Sequence, residues 1–300
     1  MNNTENSLNE IYNKKTVDYG NGNIDIIIYS EPQVRVLESS NHKGGANKLS
    51  EISDKAQEQR TKSQSYAIKR KIRGYGLANN FKWFVTLTID PKKYESKDYE
   101  KTKKLLLNWC RNMRDKYGKF DYLLIPEFHK SKAIHFHGLL SDIPALFEPA
   151  THPKTNKNLE RNGRQIYNLK DWKFGFSDCE VIIDRERTAS YITKYITKEL
   201  LSNKKMFRKK RYFVSKGLKK PKINFTNADI KELDKFIPNF GIVATNSKGE
   251  NILEKAIYRL ESDTLNGCLI QNNKDYLIKA KSHHPMISTP SDDDNSFFEE

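Results

Sequence analysis

Strict alternation of apolar and polar residues is confined to a few stretches of this chain, and these predict its sheet. From Trp83 to Ile89 (WFVTLTI), Val85, Leu87 and Ile89 alternate with Phe84, Thr86 and Thr88, so one face of a strand enters a core and the other is partly polar. Phe120–Phe128 (FDYLLIPEF) and Ala133–Leu140 (AIHFHGLL) are separated by a short polar stretch and predict an antiparallel hairpin. Asp178–Ile183 returns to strand character. A helical period governs Asp98–Lys116, where Leu105, Leu106, Trp109 and Met113 form one apolar, core-facing stripe. Helices are also predicted from Ser50 to about Leu77, from Arg187 to Leu200 (RTASYITKYITKEL), and more weakly over Ile252–Leu260. Ile24–Tyr29 and Gln33–Leu37 suggest a small hairpin about Ser30–Glu31–Pro32. Residues 141–171 read as a long loop or insertion, and Tyr212–Phe225 as a possible further strand.

Composition adds a partner class. Hydrophobic residues make up 36% and charged residues 30%, which argues for one sizeable core with polar, partly disordered ends at residues 1–23 and Ser291–Glu300. With 53 Lys+Arg against 38 Asp+Glu the net charge is +15, which points to a polyanion such as nucleic acid, although a solubility charge has the same sign. A run of about 18 apolar residues is absent, and Met1–Tyr12 lacks the apolar stretch of a signal peptide, so no membrane partner is expected. Cys110, Cys179 and Cys268 are too scattered for a disulfide framework or a CxxC site, in keeping with a reducing cytoplasm. Ser40–Ala46 (SNHKGGA) reads as a linker, and no segment has the spacing of a phosphate-binding P-loop.

Histidines provide the first candidate chemistry. His135 and His137 alternate with Phe136 on a strand, so both imidazoles share a face. Glu127 and His129 have matching parity on the preceding run. Pairing His129 with His135 and Glu127 with His137 brings all four side chains to one side, provided the connection is odd-numbered, such as 130–134, or bulged. Two imidazoles and a carboxylate leave positions for water and a phosphate oxygen. That suits Mg²⁺ or Mn²⁺ acting as a Lewis acid better than a closed zinc site. His129 is either a further ligand, a hydrogen-bond partner of the ligands, or a surface residue. Two solvent-facing histidines are the plainer reading of the pair.

Tyrosines provide the second. Tyr191-Ile-Thr-Lys194 is followed at once by Tyr195-Ile-Thr-Lys198. On an α-helix Tyr191 and Tyr195 share a face, flanked by Lys194 and Lys198. An amphipathic helix packed on a sheet would show the same pattern. A phenol of pKa near 10 is a poor nucleophile, and a nearby ammonium favours its phenolate while stabilising charge on a phosphate. Two such pairs suit two successive strand transfers, with Tyr191 expected first because a complete repeat follows it. Upstream, Arg60, Lys62, Lys69, Arg70, Lys71 and Arg73 interleave with Tyr66, Ile68 and Ile72, as on a helix that tracks phosphates or presents a solvated face.

In this order the motifs resemble those of HUH endonuclease replication initiators of rolling-circle plasmids and single-stranded DNA phages. Phe84-Val-Thr-Leu-Thr88 resembles the family's first motif, His135-Phe-His137 with Gly138 its metal motif, and Tyr191–Lys198 its nucleophile motif in two-tyrosine form. Glu127 stands where the family often has a third metal ligand. The resemblance covers about residues 56–222, including Ser215–Pro221 (SKGLKKP). It implies an α+β fold: a central antiparallel sheet with flanking helices (an HUH or RRM-like palm), the metal hairpin in the sheet and the tyrosine helix beside it. It further implies tyrosine attack on single-stranded or hairpin origin DNA, a 5′-phosphotyrosyl intermediate, a free 3′-hydroxyl that primes synthesis, and later rejoining. A divalent metal, a separate helicase and a host polymerase are implied as cofactor and partners. The expected organisation is a polar extension over 1–50, the endonuclease domain over 51–226, and a C-terminal helical segment with an acidic tail over 227–300. The alternatives are a tyrosine transposase with the same motif order, a relaxase, whose tyrosine usually precedes the histidines, or a non-catalytic basic DNA-binding protein.

Overall fold

The computed structural model describes residues 9–36, 54–152, 154–197, 200–201, 209–227, 233, 235–245, 248–262, 269–271 and 277–280. They fall into two compact units: Ser53–Lys219 is one, and the strands before and after it in the chain make the other. The anticipated linker at Ser40–Ala46 and the acidic tail lie outside the described residues.

The flanking unit begins with β1 (Asn9–Asp18) and β2 (Asn23–Val36), which pair antiparallel. Here the structure departs from the expected small hairpin and polar extension. Residues 23–36 form one strand, and the Ser30–Pro32 turn signal falls where the register slips, between the pairs Tyr12↔Gln33 and Lys14↔Ile28. Pro32 has no N–H to give to a ladder, so it is accommodated where the ladder is interrupted.

The middle unit contains α1 (Asp54–Ala78), β3 (Trp83–Leu87), α2 (Tyr99–Tyr117), β4 (Tyr122–Phe128), β5 (Ile134–Leu140), β6 (Phe147–Pro149), β7 (Glu160–Arg161), β8 (Arg164–Gln165), β9 (Tyr167–Leu169), β10 (Ser177–Val181), α3 (Arg185–Tyr191) and β11 (Phe213–Val214). Its sheet has the order β11-β4-β5-β3-β10-β9-β6, with every pair antiparallel, so the unit is α+β. One face carries Val85, Leu87, Leu124, Phe136 and Leu140 into a core with Leu106, Trp109 and Met113 of α2. Helix α2 starts where Asp98 accepts hydrogen bonds from the N–H groups of Glu100 (2.8 Å) and Lys101 (3.0 Å). It ends at Gly118, whose φ of 84° most side chains resist. Residues 141–171 are not a plain loop. β6 and β9 extend the sheet, with Phe147 stacked on Trp83 at 3.9 Å, and β7–β8 is a hairpin turning at Asn162 and Gly163.

After β11 the chain returns to the flanking unit as β12 (Lys222–Thr226), β13 (Phe240–Thr245), β14 (Asn251–Ser262), β15 (Leu269–Gln271) and β16 (Leu277–Ala280), in the order β12-β1-β2-β14-β13-β16 with β15 on β14. The helix expected over Ile252–Leu260 is therefore a strand. β14 lies between β2 and β13, and Lys255–Tyr258 are buried in succession, so the alternation that identifies a strand is missing. The units meet in sequence at Lys219 rather than at 226, because β12 pairs with β1.

Gly138 is the tightest point beneath the histidine strand. A Cβ there would stand 2.3 Å from Leu124 Cδ2 and 2.6 Å from the Leu123 carbonyl oxygen, and the latter belongs to the backbone and cannot swing away. Gly138→Ala is expected to lower unfolding stability by about 1–3 kcal/mol through overpacking, as read from urea denaturation midpoints at unchanged slope.

Candidate active site

The β4–β5 hairpin closes through a tight turn. The His129 N–H donates to the Ala133 carbonyl (2.9 Å), the Lys132 N–H donates to the His129 carbonyl (2.7 Å), and Lys132 takes a φ of 67°. This is two residues tighter than the pairing expected from parity. Glu127 stands opposite His135, and Ile125 opposite His137. A shift of two preserves the face, so Glu127, His135 and His137 share one side of the sheet.

His137 is buried and held from both edges of its ring. Its Nε2 lies 2.7 Å from Glu127 Oε2, and its Nδ1 lies 3.1 Å from the hydroxyl of Thr86, the residue opposite it on β3. The hydrogen bond with His137 holds the Glu127 carboxyl below the usual range. Burial opposes this, and the nearby charges of His137, His135 and Lys194 reinforce it. Burial pushes the His135 imidazole down, with His129 and His137 adding to the effect and Glu127 opposing it. The His129 ring stacks on His135 at 5.0 Å, while its Nδ1 accepts from the Ser131 N–H (3.3 Å) within the turn.

Among the described residues no three His, Cys, Asp or Glu side chains are arranged to hold a metal ion as they stand. Nε2 of His137 is engaged with Glu127, and the His135 ring with His129. The donor set itself fits a divalent cation. It offers two imidazoles and a carboxylate on one face, and the 2.7 Å between Nε2 and Oε2 is near the ~3 Å separating adjacent ligand atoms in an octahedron of ~2.1 Å bonds.

Helix α3 brings the tyrosines to this face. Asp184 caps it by accepting from the Arg187 N–H (2.9 Å). Helix α1 crosses it closely, since a Cβ on Gly76 would stand 2.8 Å from Ala189 Cβ, and Arg73 is paired to Glu186 at 3.2 Å. The expected continuous helix through Lys198 is not found. α3 ends at Tyr191, a 3₁₀ turn covers Ile192–Tyr195, and Ile196 leaves helical geometry. Residues four apart are separated by about 40° around an α-helix but by about 120° around a 3₁₀ turn. The two tyrosines accordingly differ.

Tyr195 is turned inward, 6% exposed, with its ring stacked on His137 at 3.7 Å and an interplanar angle of 5°. Tyr191 is 46% exposed, its ring 6.0 Å from that of Tyr195 and nearly perpendicular to it. The Lys194 ammonium lies 3.6 Å from the centre of the Tyr191 ring and bonds to its hydroxyl. Burial raises the Tyr191 phenol, but hydrogen bonds from Lys194 and Tyr195 and the Lys194 charge outweigh it and bring the phenol below its usual value. Tyr195 is pushed up, first by burial and then by Tyr191 and Glu127. Lys198 lies outside the described residues.

On α1, Arg60, Lys62, Arg70 and Lys71 are exposed and Lys69 is half-buried. Arg73 is committed to Glu186, so it fastens the tyrosine helix. Three site residues were missed in the sequence. Thr86 and Phe84 stand on the polar side of β3, where Phe84 packs edge-on against Tyr191 at 5.7 Å. Arg161, on β7, is paired to Asp178 and Glu180 of β10, and the Asn162–Gly163 turn signal beside it could have revealed the hairpin.

No helix among the described residues is long and apolar enough to cross a membrane. No curated protein and no solved structure matches the chain. Residues 82–200, however, match the replication-associated protein family named for ORF2 and the gene 2 protein. The matched segment contains Phe84–Thr88, Glu127, His135–His137 and Tyr191–Lys198 in the order noted above. Through residues 82–200 the chain belongs to this ORF2-type family of replication-associated proteins.

Proposed function

We propose that the chain is a replication initiator nuclease of the HUH kind, which nicks single-stranded origin DNA with Tyr191 as nucleophile. The observation that carries this reading is the pairing of an accessible tyrosine, its phenol lowered by Lys194, with a Glu127–His137 pair one ring away through Tyr195. The Tyr191 oxygen attacks the phosphorus, the bond from phosphorus to the 3′-oxygen breaks, and that oxygen takes a proton from water. The enzyme then holds the 5′ end as a phosphotyrosine, and the free 3′-hydroxyl primes rolling-circle synthesis until a later transfer rejoins the strand. A divalent cation, Mg²⁺ or Mn²⁺, held by Glu127, His135 and His137, would withdraw charge from a phosphoryl oxygen when bound.

The side chains divide the remaining tasks. Lys194 favours the phenolate of Tyr191 and faces the developing charge. Thr86 fixes the ring of His137, and Tyr195 covers it and donates to Tyr191. Arg60, Lys62, Lys69, Arg70 and Lys71 provide a phosphate track along α1. Unwinding and synthesis fall to a separate helicase and a host polymerase.

With a single-stranded oligonucleotide and Mn²⁺, Tyr191→Phe is expected to abolish the covalent protein–DNA adduct, while Tyr195→Phe, which keeps the ring on His137, still forms it. Mapping of the adduct to Tyr195 by mass spectrometry would reverse that assignment. A non-catalytic DNA-binding protein would form no adduct at all.

His137→Ala should cut the adduct rate roughly 10³-fold, equivalent to about 4 kcal/mol, with little change in oligonucleotide affinity. Wild-type rates in EDTA would rule out the metal.

The phenolate is the attacking form, so activity should rise with pH through the Tyr191 titration, which lies below the usual phenol value. Lys194→Met removes the ammonium and should move that acid limb to higher pH. An unmoved limb would mean that Lys194 does not set the nucleophile.

A further inference from the structure

Arg161 borders the tyrosine site from the side opposite the histidines. The β7–β8 hairpin that carries it reverses at Asn162 (φ 51°) and Gly163 (φ 72°), the two left-handed positions of a two-residue hairpin turn. Its base is fixed by backbone bonds from Leu159 to Ala150 (2.7 Å) and from Ala150 to Ile166 (2.8 Å), and by the Gln165 amide on the Ile166 carbonyl (2.6 Å). From this base the guanidinium forks onto Asp178, with Nη2 at 2.7 Å from Oδ2 and Nη1 at 3.3 Å from Oδ1, and Nη1 also bonds to Glu180.

These carboxylates occupy defined positions in the sheet. On β10, Asp178 stands opposite Thr86 and Glu180 opposite Phe84, so both share the face of His137. Phe84 in turn packs against Tyr191 at 5.7 Å and lies 6.5 Å from Tyr195. The bonds described use three of the five N–H donors of a side chain that is still 48% exposed. Two carboxylates hold the guanidinium in one place, and a planar fork held beside an accessible tyrosine matches a phosphodiester, whose anionic oxygens accept paired hydrogen bonds.

We propose that Arg161 is a phosphate-binding residue of the nicking site, delivered by the β7–β8 hairpin and positioned by Asp178 and Glu180. The proposal rests on the nuclease reading and extends it. The target phosphate lies between Arg161 on one side and the Glu127–His137 pair on the other, with Tyr191 between them. The positive charge of Arg161 also reaches both phenols and favours their ionisation.

The test is single-turnover adduct formation by the full chain with a single-stranded oligonucleotide and Mn²⁺, comparing wild type, Arg161→Ala, Arg161→Lys and Arg164→Ala. It is paired with a titration of Tyr191 followed by ¹³Cζ-tyrosine NMR without DNA. Arg161→Ala is expected to slow the step about 100-fold at saturating oligonucleotide, the scale of losing one preorganised donor, and to move the Tyr191 titration to higher pH. Arg161→Lys keeps a cation for Asp178 and Glu180 but lacks the fork. It should stay folded and remain at least about 10-fold slow, which separates phosphate binding from anchoring of the hairpin. Arg164→Ala should match wild type. An Arg161→Lys rate equal to wild type, or an Arg161→Ala variant with unchanged rate and titration, overturns the proposal while wild-type adduct upholds the nuclease reading. Absence of adduct with wild type overturns both.

Discussion

Everything at the site depends on the two-sided grip on His137. A histidine ring on a strand can rotate about two bonds, yet this one is fixed by a carboxylate on β4 and a hydroxyl on β3, the two strands that neighbour its own. The grip links three strands through one side chain, so their register and the position of the imidazole are a single fact. It also excludes water from a buried polar group whose two nitrogens must be satisfied. Tyr195 completes the enclosure from above, lying flat on the ring. The tyrosine segment is thereby referenced to the sheet by the same residue that the carboxylate holds.

The change from α-helix to 3₁₀ turn after Tyr191 separates two tyrosines that look equivalent in the sequence. One phenol is lowered and accessible, the other raised and enclosed. Neighbouring titratable groups whose surroundings drive them apart are a familiar way to assign different tasks to identical side chains. The close passage of α1 over α3 at Gly76 and Ala189, with Arg73 on Glu186, sets where this division occurs. A cation that composition alone would assign to DNA thus belongs to the internal framework.

Much of the middle unit was legible because its signals are local. Alternation in Trp83–Leu87 and in the histidine hairpin, helical spacing on α2, and the parity of Glu127 with His135 and His137 all survive in the structure. The register did not, because a three-residue turn and a five-residue loop have the same parity and the sequence cannot choose between them. The tyrosine repeat concealed the 3₁₀ turn, since identical tetrapeptides suggest one regular helix, whereas packing on His137 treats the two differently. In the flanking unit the failures have one origin. β14 is buried on both faces and β2 is interrupted at Ser30–Pro32, so neither shows the half-buried alternation from which strands are read. Their partners are also far away in the chain, and pattern reading sees only neighbours.

That separation bears on how the protein is made. Ile28 pairs with Ala256 and Lys14 with Thr226, so the first two strands emerge from the ribosome long before the strands that flank them exist. The middle unit, whose sheet and helices lie within one continuous stretch, can be completed while β1–β2 still waits with two open edges. An unpaired hairpin is marginally stable in water, and loop closure across an entire domain is slow. Nascent chains of this protein would therefore carry a finished nicking unit tethered to an unfinished sheet, and chaperone demand should concentrate on the N-terminal strands rather than on the catalytic residues.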